Sequence, residues 1–284
     1  MERIARRPNP YFSKLNKFIS WRLPAALLIG VILAAVFAPL ITPHDPYELD
    51  PSIRLLPVSA EHWLGTDAFG RDVLSRAIVG GRISLGIGFL VGFASMVIGL
   101  FLGMIAAQNV IAEAVVMRTM DGLMAIPSIL LAIALVAVLG GSFLTVAIAV
   151  TIVEVPRVTR LVHSLIIGLR KLAYIEAAQI AGTSMPVLMV RHVLPNIIGP
   201  LIVQATFIVA SAILIEAYLS FLGVGTPVEI PSWGNMIADG RRYVMVSLST
   251  VLYPSIFLGL TIFSINLLGD RLRDWFDPMM TQRL

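Results

Sequence analysis

The chain has 284 residues, of which 57% are hydrophobic and only 13% charged, and its mean hydropathy is +0.88. Soluble domains carry about 25% charged residues, so this composition excludes a water-soluble globule and points to a bilayer protein. The absence of cysteine excludes disulfide frameworks and thiolate metal sites. The net charge of +4 comes without the aromatic-interleaved basic runs of a nucleic-acid surface.

Residues 1–22 hold Arg3, Arg6, Arg7, Lys14, Lys17 and Arg22 and read as a cytoplasmic N-terminal tail. An apolar run at 23–41 follows and predicts the first transmembrane helix. No small-residue cleavage site succeeds it, and Pro39 to Pro46 come instead, so the helix is expected to be retained. Residues 42–82 form an extracytoplasmic loop. It opens on the helix breakers Thr42-Pro43-His44-Asp45-Pro46 and closes on Asp72 to Val79, which reads as a short amphipathic helix lying at the membrane interface.

Residues 83–269 form the transmembrane core, with apolar windows at 83–107, 122–140, 143–163, 198–222 and 248–269. At about 20 residues per span, the total is about six transmembrane helices in an all-α membrane protein. Within the second window, Gly88 and Gly92, and Gly99 and Gly103, stand four apart. That spacing lets helix backbones approach closely in lipid and favours packing within the chain over a seam between subunits. Residues 270–284 form a cytoplasmic C-terminal tail. With both ends inside, 15 of the 21 Lys and Arg residues fall on the cytoplasmic side, the bias expected of an N-in/C-in protein.

The cytoplasmic loop 164–197 is longer than a tether needs to be. Apolar residues recur at helical spacing from Leu165 to Ala173, and Ile175-Glu176-Ala177-Ala178-Gln179-Ile180-Ala181 is a strong helix former ending at Gly182. A glycine there closes a helix in the left-handed conformation. Thr183 or Ser184 caps the next helix, Pro186 sits in its first turn, and Pro195-Asn196 breaks it before the fifth span. The physical pattern suits either a protein-docking elbow or a helix pair lying on lipid headgroups.

Glu176-Ala177-Ala178, then Gly182, then Leu194-Pro195 resembles the EAA motif of ABC importer permeases, with His192 where the general pattern has Ile. Arg191 to Asn196 is similar to the form in the dipeptide/oligopeptide/nickel branch. So are His62 to Arg76, Ser220 to Gly225, Pro231 to Met236 and Asn266 to Asp274, matching C-type permeases of that branch in order. The resemblance implies the type I importer permease fold in the cell inner membrane. It implies a homologous B-type permease as partner, two ABC ATPase subunits carrying ATP and Mg, and an extracytoplasmic binding protein. Di- and oligopeptides are the implied cargo, with nickel, opines and glutathione as alternatives within the branch. Glu176, Ala177, Ala178, Gly182 and Thr183 would form the coupling helix seated on an ATPase.

No catalytic residue emerges. The phosphate-loop pattern Gly-x4-Gly-Lys-Ser/Thr is absent, so the chain is not an ATPase by that mechanism, and the resemblance implies that ATP hydrolysis belongs to partner chains. His44, His62, His163 and His192 show no paired spacing for a metal, and no metal or other cofactor is expected on the chain. Intramembrane acids are functional candidates. Glu216 either lines the passage near its outer mouth or makes a structural hydrogen bond. Glu154 either pairs with Arg157 or Arg160 or meets the cargo. Asp121 suits a cap or interface, and Trp233 an interfacial anchor or a lid. A stand-alone secondary transporter would need related broken helices in two halves, and no such repeat is visible. A membrane anchor without transport function is opposed only by the resemblance.

Overall fold

A computed structural model describes residues 10–276, with side chains from Arg22 onward. The expected basic residues Arg3, Arg6 and Arg7 lie outside the described residues. Among the described residues the backbone is helix and turn, with one isolated β-bridge between Thr66 and Asp72. The long helices are α1 (Pro10–Val36), α3 (Val73–Ala106), α6 (Phe143–Arg170), α9 (Leu194–Phe221) and α11 (Ser249–Phe276). Between them lie α2 (Ala38–Ile41), α4 (Val110–Met124), α5 (Ser128–Leu139), α7 (Ala173–Ile180), α8 (Met185–Leu188) and α10 (Trp233–Gly240).

The core is built on α3, which packs between α6 and α9. The glycines make this possible. A Cβ on Gly99 would stand 2.4 Å from Val158 Cβ, and one on Gly103 2.6 Å from Val162 Cβ, so α6 crosses at backbone contact. Gly88 and Gly92 receive Ile213 and Val209 of α9 in the same way. The small-residue spacing therefore serves packing within the chain, as expected. Helix α11 packs against α9 and also touches α3, and α1 lies against both α11 and α3.

Three described helical stretches are long and apolar enough to cross a membrane: Val73–Ala106, Met185–Phe221 and Ser249–Phe276. The pair α4 and α5, bent by 90° at Ala125 to Pro127, would make a fourth. The bend follows from Pro127, which disfavours a helical residue before it. In α1 the apolar stretch is shorter, Arg22–Val36. Helix α6 has 28 residues but carries Glu154, Arg157 and Arg160.

Two local expectations are corrected. Residues 73–79 are not a separate interfacial helix. They are the first turns of α3, with Val73, Arg76 and Ala77 buried, because Asp72 caps the helix by accepting the Ser75 N–H at 2.7 Å. Pro195 does not break the chain before α9 either. A π-turn at Met189–Val193 links α8 to α9, and the Leu194 N–H donates to the Met189 carbonyl. The wider turn accommodates a residue that has no N–H to give, and Asn196 Nδ2 donates to the His192 carbonyl at 2.6 Å.

Candidate functional site: the helical elbow and the buried acids

The elbow begins where α6 ends at Arg170. Helix α7 packs on α6 and α8 through the fully buried Ile175, with Ala178 partly buried beside it. Glu176, in its first turn, and Ala177 are exposed. The helix closes on a Schellman motif: the Thr183 N–H donates to the Ala178 carbonyl at 3.1 Å and the Gly182 N–H to the Gln179 carbonyl at 3.0 Å. Gly182 takes φ +83°, the left-handed region that glycine enters without penalty. A Cβ at this position would meet nothing within 4 Å, so the outer face of the turn is open. Thr183 is half-buried, and Ser184 stands at the next N-cap without a side-chain cap bond. The elbow is thus fixed from beneath by an apolar anchor, and it presents a carboxylate and small residues outward. Ile180, 87% exposed, adds an apolar projection to that surface.

Both buried acids lie inside the helix packing. Glu154 is 1% exposed, accepts from Ser211 Oγ at 2.6 Å and has the Arg157 guanidinium 3.2 Å away. Glu216 is fully buried and accepts from Ser84 Oγ at 3.0 Å and Ser220 Oγ at 2.8 Å, which joins α3 to α9. Arg160 is taken instead by Asp121, in an exposed pair that ties α6 to α4. A groove of about 480 Å³ runs along α6, α9 and α11, lined by Leu161, Val203, Gln204, Phe207 and Arg273. Neither Glu154 nor Glu216 lines it.

Residues 99–282 match the family described as binding-protein-dependent transport system inner membrane components. The chain belongs to that family. Over 270 residues it is 46% identical to a protein of Sinorhizobium fredii named "Probable peptide ABC transporter permease protein", covering 93% of this chain and 92% of that one. It is 43% identical to the dipeptide transport system permease protein of Alkalihalophilus pseudofirmus, covering 89% and 84%. It is 37% identical to a glutathione transport system permease protein of Pectobacterium atrosepticum, covering 90% and 86%. The fold is that of a chain in the inward-facing MetNI methionine ABC transporter, with a TM-score of 0.59 at 20% identity over 72% of this chain and 97% of the other.

In this transport component the segment His62 to Arg76 builds a polar clamp at the end of the molecule opposite the elbow. Asp67 accepts the backbone N–H groups of Phe69 and Arg71 at 2.8 and 3.0 Å and Arg71 Nε at 2.6 Å. Arg71 reaches on to Asp239 of α10 at 3.4 Å, and Arg76, 1% exposed, donates to the Pro46 carbonyl at 3.1 Å. Burial pushes the Asp239 carboxyl above its usual range, against the pull of Arg71 and Arg76. Trp233 is neither anchor nor lid. It is 1% exposed, packs over Gly81, and donates Nε1–H to the Ala77 carbonyl at 2.9 Å. The histidines divide: His163 stands 3.4 Å from Glu113, and His192 lies in the π-turn. His44 and His62 come together, with ring centroids 4.6 Å apart. Their spacing of 18 residues matches no metal motif, so nothing in the sequence signalled that meeting.

Proposed function

We infer that this chain is one of two permease subunits in an ATP-driven, binding-protein-dependent importer, and that its cargo is di- or oligopeptide. The carrying observation is the elbow, rooted by Ile175 and open at Glu176, Ala177 and Gly182. A surface of this kind suits a groove on a partner ATPase. The glycine lets the partner's backbone come close, and the carboxylate supplies a charge-assisted contact. ATP and Mg belong to two such partner ATPases, and this chain performs no catalysis. A homologous permease completes the passage, and a binding protein delivers cargo from outside. Peptide cargo is supported by the names of relatives at 46% and 43% identity, above the glutathione system at 37%.

The chain crosses the membrane six times, N-in and C-in, so that α7 faces the cytoplasm and the Asp67 clamp faces outward. Glu154 and Glu216 shape the packing around the passage and leave cargo contact to other groups. Inverting a two-state equilibrium from 1:99 to 99:1 takes about 5.5 kcal/mol of differential binding. A helix anchored by a buried side chain and closed by a glycine turn transmits that; a loose loop does not.

Glu176→Lys and Gly182→Asp test the assignment. Both variants insert in the membrane, while ATPase co-purification and ATP-dependent peptide uptake in vesicles fall at least tenfold. Undiminished uptake in both variants removes the coupling role.

A further inference from the structure

The outer loop gathers three metal-ligating side chains that the transport reading does not use. His44, His62 and Asp72 each offer a ligand atom, and the three atoms lie within 4.8 Å of one another. They come from separate stretches of chain, so the gathering is tertiary. His62 and Asp72 are 6% and 2% exposed, and His44 is half-buried. We propose that His44, His62 and Asp72 form a binding site for a first-row divalent transition cation, Zn²⁺ in the first place, on the clamp side of the protein.

Four observations support it. First, His62 Nδ1 and Asp72 Oδ1 are 3.0 Å apart. The His62 Nδ1–H donates across this edge to the carboxylate; a cation taking both atoms displaces that proton, and the spacing is already close to the about 3.3 Å that separates ligand atoms on a tetrahedral zinc with bonds of 2.0–2.1 Å. Second, His44 Nε2 is 3.0 Å from the Glu61 carbonyl. A carbonyl only accepts, so Nε2 carries the proton and Nδ1 of the neutral ring keeps its lone pair. A ring proton given to a backbone carbonyl is the arrangement that orients metal-bound histidines. Third, the backbone under each ligand is held. The His44 N–H donates to Ser75 Oγ at 3.2 Å, the His62 N–H to Ser59 Oγ at 3.0 Å, and Asp72 Oδ2 accepts the Ser75 N–H at 2.7 Å. Fourth, the donor set is chemically apt. Two imidazoles and a carboxylate suit zinc, cobalt and nickel over calcium or magnesium, which favour all-oxygen sites. Three protein donors leave a fourth position for water.

Such a cation would staple the loop after α2 to the first turn of α3, bridging residues 44, 62 and 72 at one point. The proposal rests on neither the cargo nor the ATPase contact, and its test reads binding alone.

The full chain, purified in detergent without a polyhistidine tag, is titrated with Co²⁺ as the spectroscopic probe and with Zn²⁺ in competition with a chromogenic chelator. One saturable Co²⁺ per chain is expected, with the visible absorption of histidine-bound cobalt and displacement by Zn²⁺. His44→Ala and Asp72→Asn lower the affinity at least about tenfold. Asparagine at position 72 keeps the helix cap, so the second variant separates metal binding from folding. The double variant His163→Ala/His192→Ala binds as the parent does. Undiminished binding in His44→Ala, loss in the His163/His192 double variant, or the absence of a saturable site overturns the proposal. Loss in His44→Ala without loss in Asp72→Asn overturns the three-residue site.

Discussion

Asp67 and Asp239 face the same arginine from unlike surroundings, and they carry opposite predictions. Asp67 receives three hydrogen bonds within a nearly dry clamp. Its loss leaves Arg71 and Arg76 buried without their nearest carboxylate. Breaking a buried pair from one side costs about 3–5 kcal/mol, so Asp67→Asn is expected to lower the apparent Tm of the purified chain sharply. Asp239 is held above the ordinary carboxylate range by burial. A carboxyl raised on folding contributes stability below its unfolded pKa, and that contribution disappears as pH rises through the folded value. Asp239→Asn removes the charge that causes the loss. Its Tm relative to the parent is therefore expected to be higher at pH 7 than at pH 4, and a pH series of thermal melts on both proteins reads this directly. Composition marked neither residue. The segment His62 to Arg76 stood out only through its resemblance to a family. Its role depends on Asp239, some 170 positions later, which no local pattern connects to it. Trp233 departs from its expected place for a similar reason. Hydropathy places a tryptophan near a span end at the interface, but Gly81 opens the space that buries it.

Among the elements, α3 shows most directly how sequence sets packing. Gly99→Ala places a Cβ 2.4 Å from Val158 Cβ on a crossing helix. The two helices must part, and overpacking of this kind costs about 1–3 kcal/mol. The control is Gly168→Ala in α6, where a Cβ meets nothing within 4 Å and alanine's better helix propensity gives a gain of about 0.5–1 kcal/mol. Opposite shifts of Tm for the two glycines are the expected outcome, and equal losses would show that helix flexibility, not crossing distance, is what these glycines supply. This seam was legible because small residues four apart have one physical use in lipid. The start of α3 and the join at Pro195 were not. Gly80-Gly81 and Pro195 are residues that usually interrupt helices, and the chain continues through both by geometry that sequence does not display: the close packing of Ser232 and Trp233 on the two glycines, and a turn one residue wider than α.

At the scale of the molecule, the two ends differ in kind. The elbow end exposes small residues around one carboxylate, and the clamp end buries its ions. The proposed orientation puts the first inside and the second outside. The chain has no cysteine, so any introduced cysteine is the sole thiol. Glu61→Cys and Gln179→Cys, both at exposed positions, are expected to react with a membrane-impermeant maleimide from opposite faces: the first in whole cells, the second only in inverted vesicles. Labelling of both from one side would reverse the assignment of the elbow.

The union of α8, the π-turn and α9 has a further mechanical meaning. From Met185 to Phe221 the backbone runs unbroken for 37 residues, about 55 Å of rod. At its far tip, Ala217 and Ser220 seat Gly234 of α10. A displacement at Met185 would be carried along this rod toward α10, and the π-turn at Met189–Val193 is where the rod departs from α geometry.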